Sequence, residues 1–317
     1  MKEYGFGADL GGTTCKLGLF KTDGTLLEKW EIPTDTSDDG ANILKDIAAA
    51  VHSKMVEKSL TKEMVEGLGI GVPGPVGKDG VVNRAVNLGW GVKPVAQELG
   101  DLVGLKVRVA NDANIAALGE SWMGSGKGFD SVIMVTLGTG IGGGIVIDGQ
   151  ILSGAHGAAG EIGHLTVNEQ ELEACGCGRF GCLEQYASAT GIARYARKTL
   201  ANNEEPSRLR EIAPEELTAK DIFDVAKEGD RIANEVVENV CRLLASALAK
   251  ICVVVDPEAV LIGGGVSKAG QILLDAIVEP FQGMAFHACK DTKILLASLG
   301  NDAGDRKSTR QNSSHIR

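Results

Sequence analysis

The chain has 317 residues, of which 44% are hydrophobic and 23% charged, with seven cysteines and a formal net charge of −10. An acidic balance of that size argues against nucleic acid as the main partner, because phosphate backbones demand a basic surface. There is no run of about eighteen uncharged apolar residues to serve as a membrane span, and an odd number of cysteines points away from a disulfide framework.

The opening MKEYGFGADL reads as a strand, not as a charged leader with an apolar core and cleavage site, so a cytoplasmic location is expected. Tyr4 to Leu10 is the first strand, and Leu17 to Phe20 the second. The chain then turns at Asp23-Gly24 into Leu26 and Leu27, the pattern of strand, tight turn and strand. Residues 41 to 58 carry helical spacing, with Ile43, Ile47 and Val51 on one face. Leu68 to Val72 is a short buried strand stopped by Pro73-Gly74-Pro75, and Lys106 to Ala110 is another, giving way to a helix at Asn111-Asp112. Beyond residue 185 the pattern is mostly helical, with a long helix at Arg231 to Val255. Strands are expected at Ala259 to Gly265 and at Lys293 to Leu296.

The middle of the chain echoes the start. Asp9-Leu10-Gly11-Gly12 has a counterpart in Thr136-Leu137-Gly138-Thr139, and Asp23-Gly24-Thr25-Leu26-Leu27 in Asp148-Gly149-Gln150-Ile151-Leu152. Two short matches between Gly-rich hairpins also arise by chance. If they mark a true repeat, the molecule is two related α/β lobes facing each other across a cleft.

Three Gly-rich turns follow strands: Asp9 to Thr14, Leu137 to Gly140, and Gly263 to Ser267. Glycines let backbone N–H groups approach phosphate oxygens, and the hydroxyls add donors. Each turn alone reads as readily as a plain hairpin. Gly138 to Gly143 matches a dinucleotide fingerprint formally, but Gly144 to Ile147 continues as strand where that motif must open a helix. Ser125-Gly126-Lys127-Gly128 lacks the rest of a P-loop. Asp9 precedes the first turn; a carboxylate there either caps the turn or faces phosphate through Mg²⁺.

His164, Cys175, Cys177 and Cys182 stand as His-x₁₀-Cys-x-Cys-x₄-Cys with glycines between. One imidazole and three thiolates suit tetrahedral Zn²⁺, closed to water and hence structural, with a redox pair as the alternative. Cys15, Cys241, Cys252 and Cys289 read as ordinary buried thiols. A sugar needs carboxylates and amides, since each hydroxyl both donates and accepts. The candidates are Asn87, Asn111, Asp112, Glu161, Glu184 and His164, with Glu161 and Glu184 drawn together by the metal loop. Asp112, at a strand-to-helix junction, reads equally as a general base or as a helix N-cap.

DLGGTT at 9–14, LGTGIGGG at 137–144 and EIGH at 161–164 followed by CGCGRFGCLE at 175–184 resemble the ROK family of repressors, open reading frames and sugar kinases, nearest its glucokinase-type members. The resemblance spans about residues 3 to 304. It implies the two-lobed fold of actin and hexokinase, divided as a small lobe over 1–110 and a large lobe over 111–304 that carries the zinc loop 164–182. It also implies transfer of the γ-phosphate of ATP to the 6-hydroxyl of glucose, with Mg²⁺, structural Zn²⁺ and a homodimer. Carried over by motif, Asp112 in AND is the base, and Asn111, Glu161, His164 and Glu184 contact glucose, with Asn87 in NLGW a looser match. Gly11, Gly12, Thr13 and Thr14 line the phosphates with Gly138, Thr139 and Gly140, while Gly264 and Gly265 lie near the adenosine. N-acetylmannosamine, fructose, allose and N-acetylglucosamine kinases share these motifs, and polyphosphate is a second donor to consider. Repressors of the family carry a DNA-binding domain ahead of the DLGGT motif, for which Asp9 leaves no expected room; a non-catalytic sugar-binding protein is a further alternative. In the family Gly300 to Gly304 leads into a C-terminal helix. Here the polar run DRKSTRQNSSHIR at 305–317 takes its place, as a foreign or disordered tail would.

Overall fold

The computed structural model describes residues 2–299, so the expected tail over 305–317 lies outside the described residues. In chain order the first elements are β1 (Tyr4–Leu10), β2 (Thr14–Lys21), β3 (Leu26–Pro33), the single turn α1 (Ser37–Gly40) and α2 (Ile43–Glu57). There follow β4 (Val65–Val72), α3 (Val95–Val103), β5 (Val107–Asn111) and α4 (Asp112–Met123). Next come β6 (Val132–Leu137), β7 (Ile141–Ile147), β8 (Gln150–Ile151), α5 (Glu184–Ala187) and α6 (Ala189–Ala201). The last are α7 (Ala219–Lys227), α8 (Arg231–Val255), β9 (Ala259–Gly263), α9 (Gln271–Met284) and β10 (Lys293–Leu296). These elements gather into two compact units, residues 2–124 with 150–159, and residues 125–149 with 160–299. The helix α4 thus clusters with the first sheet, whereas the expected lobe boundary lay ahead of it at residue 110.

In the first unit the strands lie in the order β3-β2-β1-β4-β5. The hairpin β1–β2 is antiparallel, and β4 and β5 run parallel to β1. The Asp23-Gly24 turn forms as read: Thr25 N–H donates to the Asp23 carboxylate at 2.9 Å, and Gly24 has φ +94°. β4 is apolar almost throughout because it is an inner strand covered on both faces. Ile43, Ile47 and Val51 of α2 are buried as the helical spacing predicts, in one core with Phe6, Leu68, Ile70 and Leu99.

The second unit repeats the plan. The second sheet has the strand order β10-β9-β6-β7-β8, with β6–β7 antiparallel and β9 and β10 parallel to β6. Strand for strand this order matches β5-β4-β1-β2-β3, and the two sequence echoes fall at the equivalent β1–β2/β6–β7 and β2–β3/β7–β8 connections. Chance resemblance of glycine turns does not produce a shared topology. The long helix α8 opens on an N-cap, Asp230, whose carboxylate accepts from Ala233 N–H at 2.9 Å. Leu244, Ala245, Leu248 and Cys252 on its inner face are buried with Phe223, Val260, Ile262 and Phe281 in the second core.

Candidate functional site

In the first unit, register places the chemistry along one sheet edge. Asp9 of β1 pairs with Gly71 of β4, and Gly71 with Ala110 of β5. The three parallel strands therefore end together, and from that edge emerge the Gly11–Thr14 turn, Pro73-Gly74 and the Asn111-Asp112 junction. The carboxyl ends of parallel strands are where open α/β sheets take ligands. The glycine turn is fixed from behind: Gly11 N–H donates to Thr14 O at 3.0 Å, Thr34 Oγ1 to Gly11 O at 2.9 Å and Thr34 N–H to Thr13 O at 2.9 Å. A Cβ on Gly12 would lie 3.4 Å from the Asn87 carbonyl, so Asn87 sits beside this turn.

The two readings of Asp112 separate here. The N-cap of α4 is Asn111, whose Oδ1 accepts from Ala113 N–H at 3.0 Å and Asn114 N–H at 3.3 Å, while its Nδ2 donates to Gly74 O at 3.1 Å. Asp112 is the first helical residue, exposed, with Oδ1 accepting from Ala113 N–H at 2.8 Å. Asn111 is the N-cap, and the exposed Asp112 side chain lies beside it where β5 gives way to α4.

In the second unit the four predicted metal ligands converge. The ligand atoms of His164, Cys175, Cys177 and Cys182 all lie within 4.8 Å of one another. Cys175 Sγ is 3.8 Å from His164 Nδ1, and Cys177 Sγ is 3.7 Å from Cys182 Sγ. A tetrahedron with metal–sulfur bonds of about 2.3 Å has edges of about 3.8 Å, so the spacing fits a divalent ion. Burial pushes the Cys182 thiol up to about 12, and neighbouring thiolates push the same way. A bound cation would reverse that preference.

The Gly138–Gly140 turn is braced by the segment that follows the metal loop. Ala189 N–H donates to Gly138 O at 2.8 Å, and Thr190 Oγ1 to Thr139 O at 2.7 Å. Ile141 N–H donates to Glu184 Oε2 at 2.8 Å, while Glu184 Oε1 accepts from Cys175 Sγ at 3.8 Å. Glu184 therefore joins the metal loop to the glycine turn. Glu161 is exposed at the start of the 3₁₀ turn Ile162–His164, its carbonyl accepting from His164 N–H at 3.1 Å. Gly264 comes off β9 at φ +82°, and a Cβ there would fall 2.4 Å from Leu137 O. Only glycine lets this turn close against the end of β6.

Sequence reasoning missed the residues around that third turn. A cavity of about 320 Å³ lies beside Gly265, lined by Ala189, Thr218, Phe223, Lys268 and their neighbours. It is mainly apolar with lysines at its wall, which suits a flat ring carrying an anionic tail. The residues come from α6, α7 and the segment after β9, so only the fold assembles them. Also missed was a clamp on the metal loop. Arg194 of α6 donates to Glu171 at 2.6 Å and to Glu173 at 2.8 Å, and Tyr186 Oη donates to Glu171 at 2.6 Å.

Three comparisons with known proteins bear on this arrangement. The family model described as ROK family matches residues 5–306. A glucokinase from Halalkalibacterium halodurans is 44% identical over 301 residues, covering 94% of this chain and 91% of its own. A glucokinase from Thermotoga maritima is 39% identical, covering 94% and 93%. The crystal structure of a ROK family glucokinase from Streptomyces griseus in complex with glucose and AMPPNP superposes with a TM-score of 0.76 at 34% identity, covering 97% of this chain and 98% of that one.

Proposed function

The chain belongs to the ROK family, and on that premise we propose that it is a glucokinase, transferring the γ-phosphate of ATP to the 6-hydroxyl of glucose. The observation that carries the proposal is likeness to glucokinases along nearly the whole chain. Asp112 takes the proton of the sugar hydroxyl as its oxygen attacks the γ-phosphorus. Such general-base help contributes about 10²–10⁴ in rate, and positioning supplies much of the rest. Its exposure where the parallel strands end, with Asn111 and not Asp112 as the N-cap, supports that role. Asn87, Asn111, Glu161, His164 and Glu184 bind and orient the sugar.

The Gly11–Thr14 and Gly138–Gly140 turns present backbone and hydroxyl donors to the phosphates, and the cavity beside Gly264 and Gly265 takes the adenosine. Mg²⁺ accompanies ATP and neutralises phosphate charge. Asp9, half-buried at the end of β1 beside a phosphate-type turn, is the carboxylate that would hold it, through water. His164, Cys175, Cys177 and Cys182 hold a structural Zn²⁺, whose work is to fix the loop that ends at Glu184. The same reading includes a homodimer, which sedimentation velocity measures directly, and a cytoplasmic location. No helix among the described residues is long and apolar enough to cross a membrane.

The test is a coupled assay of sugar-phosphate formation across glucose, fructose, mannose, allose, N-acetylmannosamine and N-acetylglucosamine, each with ATP and with polyphosphate. Glucose with ATP should give the highest kcat/KM. A higher value for another sugar or donor would reassign the substrate.

A further inference from the structure

Glu184 has two carboxylate oxygens, one held firmly by a backbone N–H and the other touched only by the Cys175 thiol at 3.8 Å. Oε2 accepts from the Ile141 N–H, the first peptide after the Gly138-Thr139-Gly140 turn. The approach is close enough to dictate the residue at 140: a Cβ there would lie 2.3 Å from Glu184 Oε2 and 3.1 Å from its carboxyl carbon. Gly140 does not have a positive φ, so its backbone would tolerate alanine, and it is the carboxylate that excludes one. The remaining braces of the turn, Ala189 N–H and Thr190 Oγ1, come from the segment just after Glu184.

We propose that Glu184 is a positioning residue for the donor turn as well as a sugar ligand, so that sugar and nucleotide affinity are coupled through this one side chain. The inference rests on the reading above in which Glu184 contacts the sugar and the Gly138–Gly140 turn contacts phosphate. Oε2 is held by the peptide N–H, whereas Oε1 has only the 3.8 Å contact from the Cys175 thiol, which a metal-bound thiolate would not donate, so Oε1 is the oxygen that would meet a sugar hydroxyl. Any displacement of either partner moves the shared group. The two affinities then share one determinant, so a change at either end of it is felt at both sites.

The experiment measures each affinity in the absence of the other ligand, by calorimetric titration of ADP into sugar-free protein and of glucose into nucleotide-free protein. Glu184→Ala removes the acceptor from Ile141 N–H and should weaken sugar-free ADP binding roughly tenfold, the effect of losing a hydrogen bond to a charged group. Glu184→Gln keeps an acceptor oxygen and should restore ADP binding to near wild type, while glucose binding stays weak. Gly140→Ala lies on the donor side, yet it should weaken nucleotide-free glucose binding at least about fivefold, by pushing the carboxylate from its place. That clash meets the end of a flexible side chain, so the variant retains its fold even if Glu184→Ala does not.

Wild-type ADP affinity in Glu184→Ala, or unchanged glucose affinity in Gly140→Ala, overturns the coupling. A wild-type protein that binds neither ligand or forms no glucose phosphate would instead overturn the underlying kinase reading, so the two failures are distinct.

Discussion

At the scale of single residues, environment decides what a side chain does more than its identity. Burial works to raise the Glu171 carboxyl, yet hydrogen bonds from Tyr186 and Arg194 outweigh it and hold the group at about 2, against an ordinary 4.5. A carboxylate depressed in this way stabilises the folded state fully above about pH 4.5, and the contribution is lost as pH falls toward 2. Arg194→Met should therefore cost roughly 1–3 kcal/mol at pH 7, with the difference from wild type shrinking as Glu171 protonates. Urea melts at pH 7 and pH 3 check this; a deficit independent of pH would mean that packing, not charge, supplies the stabilisation.

Asp112 shows how far a sequence alone carries at this scale. A carboxylate at a strand-to-helix junction is equally a cap and a base, and only the structure shows Asn111 taking the cap. The Glu184–Ile141 bond was invisible for a different reason. It joins residues 43 apart, and nothing in the spacing announces it.

At the scale of elements, the metal loop and α7 differ in legibility. The His164, Cys175, Cys177 and Cys182 spacing announced its own convergence, because thiols that dense with interspersed glycines have few folds open to them. The loop is then expected to depend on its ion. Zinc assayed on purified protein should come to one ion per chain. Cys177→Ser, or prolonged chelation, should remove it and lower Tm by on the order of 5–10 °C. Stoichiometric zinc that leaves without a change in Tm would show that the loop holds itself.

α7 is covered in the sequence only by the mostly helical pattern beyond residue 185, and its part in lining the cavity is not legible there. It begins with a capping box in which Thr218 accepts from Asp221 N–H at 3.3 Å and Asp221 accepts from Thr218 N–H at 3.0 Å. Thr218→Ala should cost about 1 kcal/mol in stability, and should raise KM for ATP more than KM for glucose, because Thr218 also lines the cavity. Equal changes in both constants would count against assigning that cavity to the nucleotide.

At the scale of the whole molecule, the repeat is the lesson. Two hairpin matches in sequence were weak evidence singly, but they fall at corresponding strands of two sheets with the same order and directions. What sequence could not supply was the grouping of α4, which clusters with the first sheet although the chain has by then left its last strand. Helices pack by face, not by position along the chain.

In the proposed reaction the Asp112 carboxylate takes the proton from glucose while ATP is consumed. The direct measurement is glucose 6-phosphate formation by wild type and Asp112→Asn, alongside glucose affinity measured by calorimetry. The expected result is a kcat lower by about 10²–10⁴ with glucose affinity held within about threefold. Retention of wild-type kcat in Asp112→Asn would contradict the account.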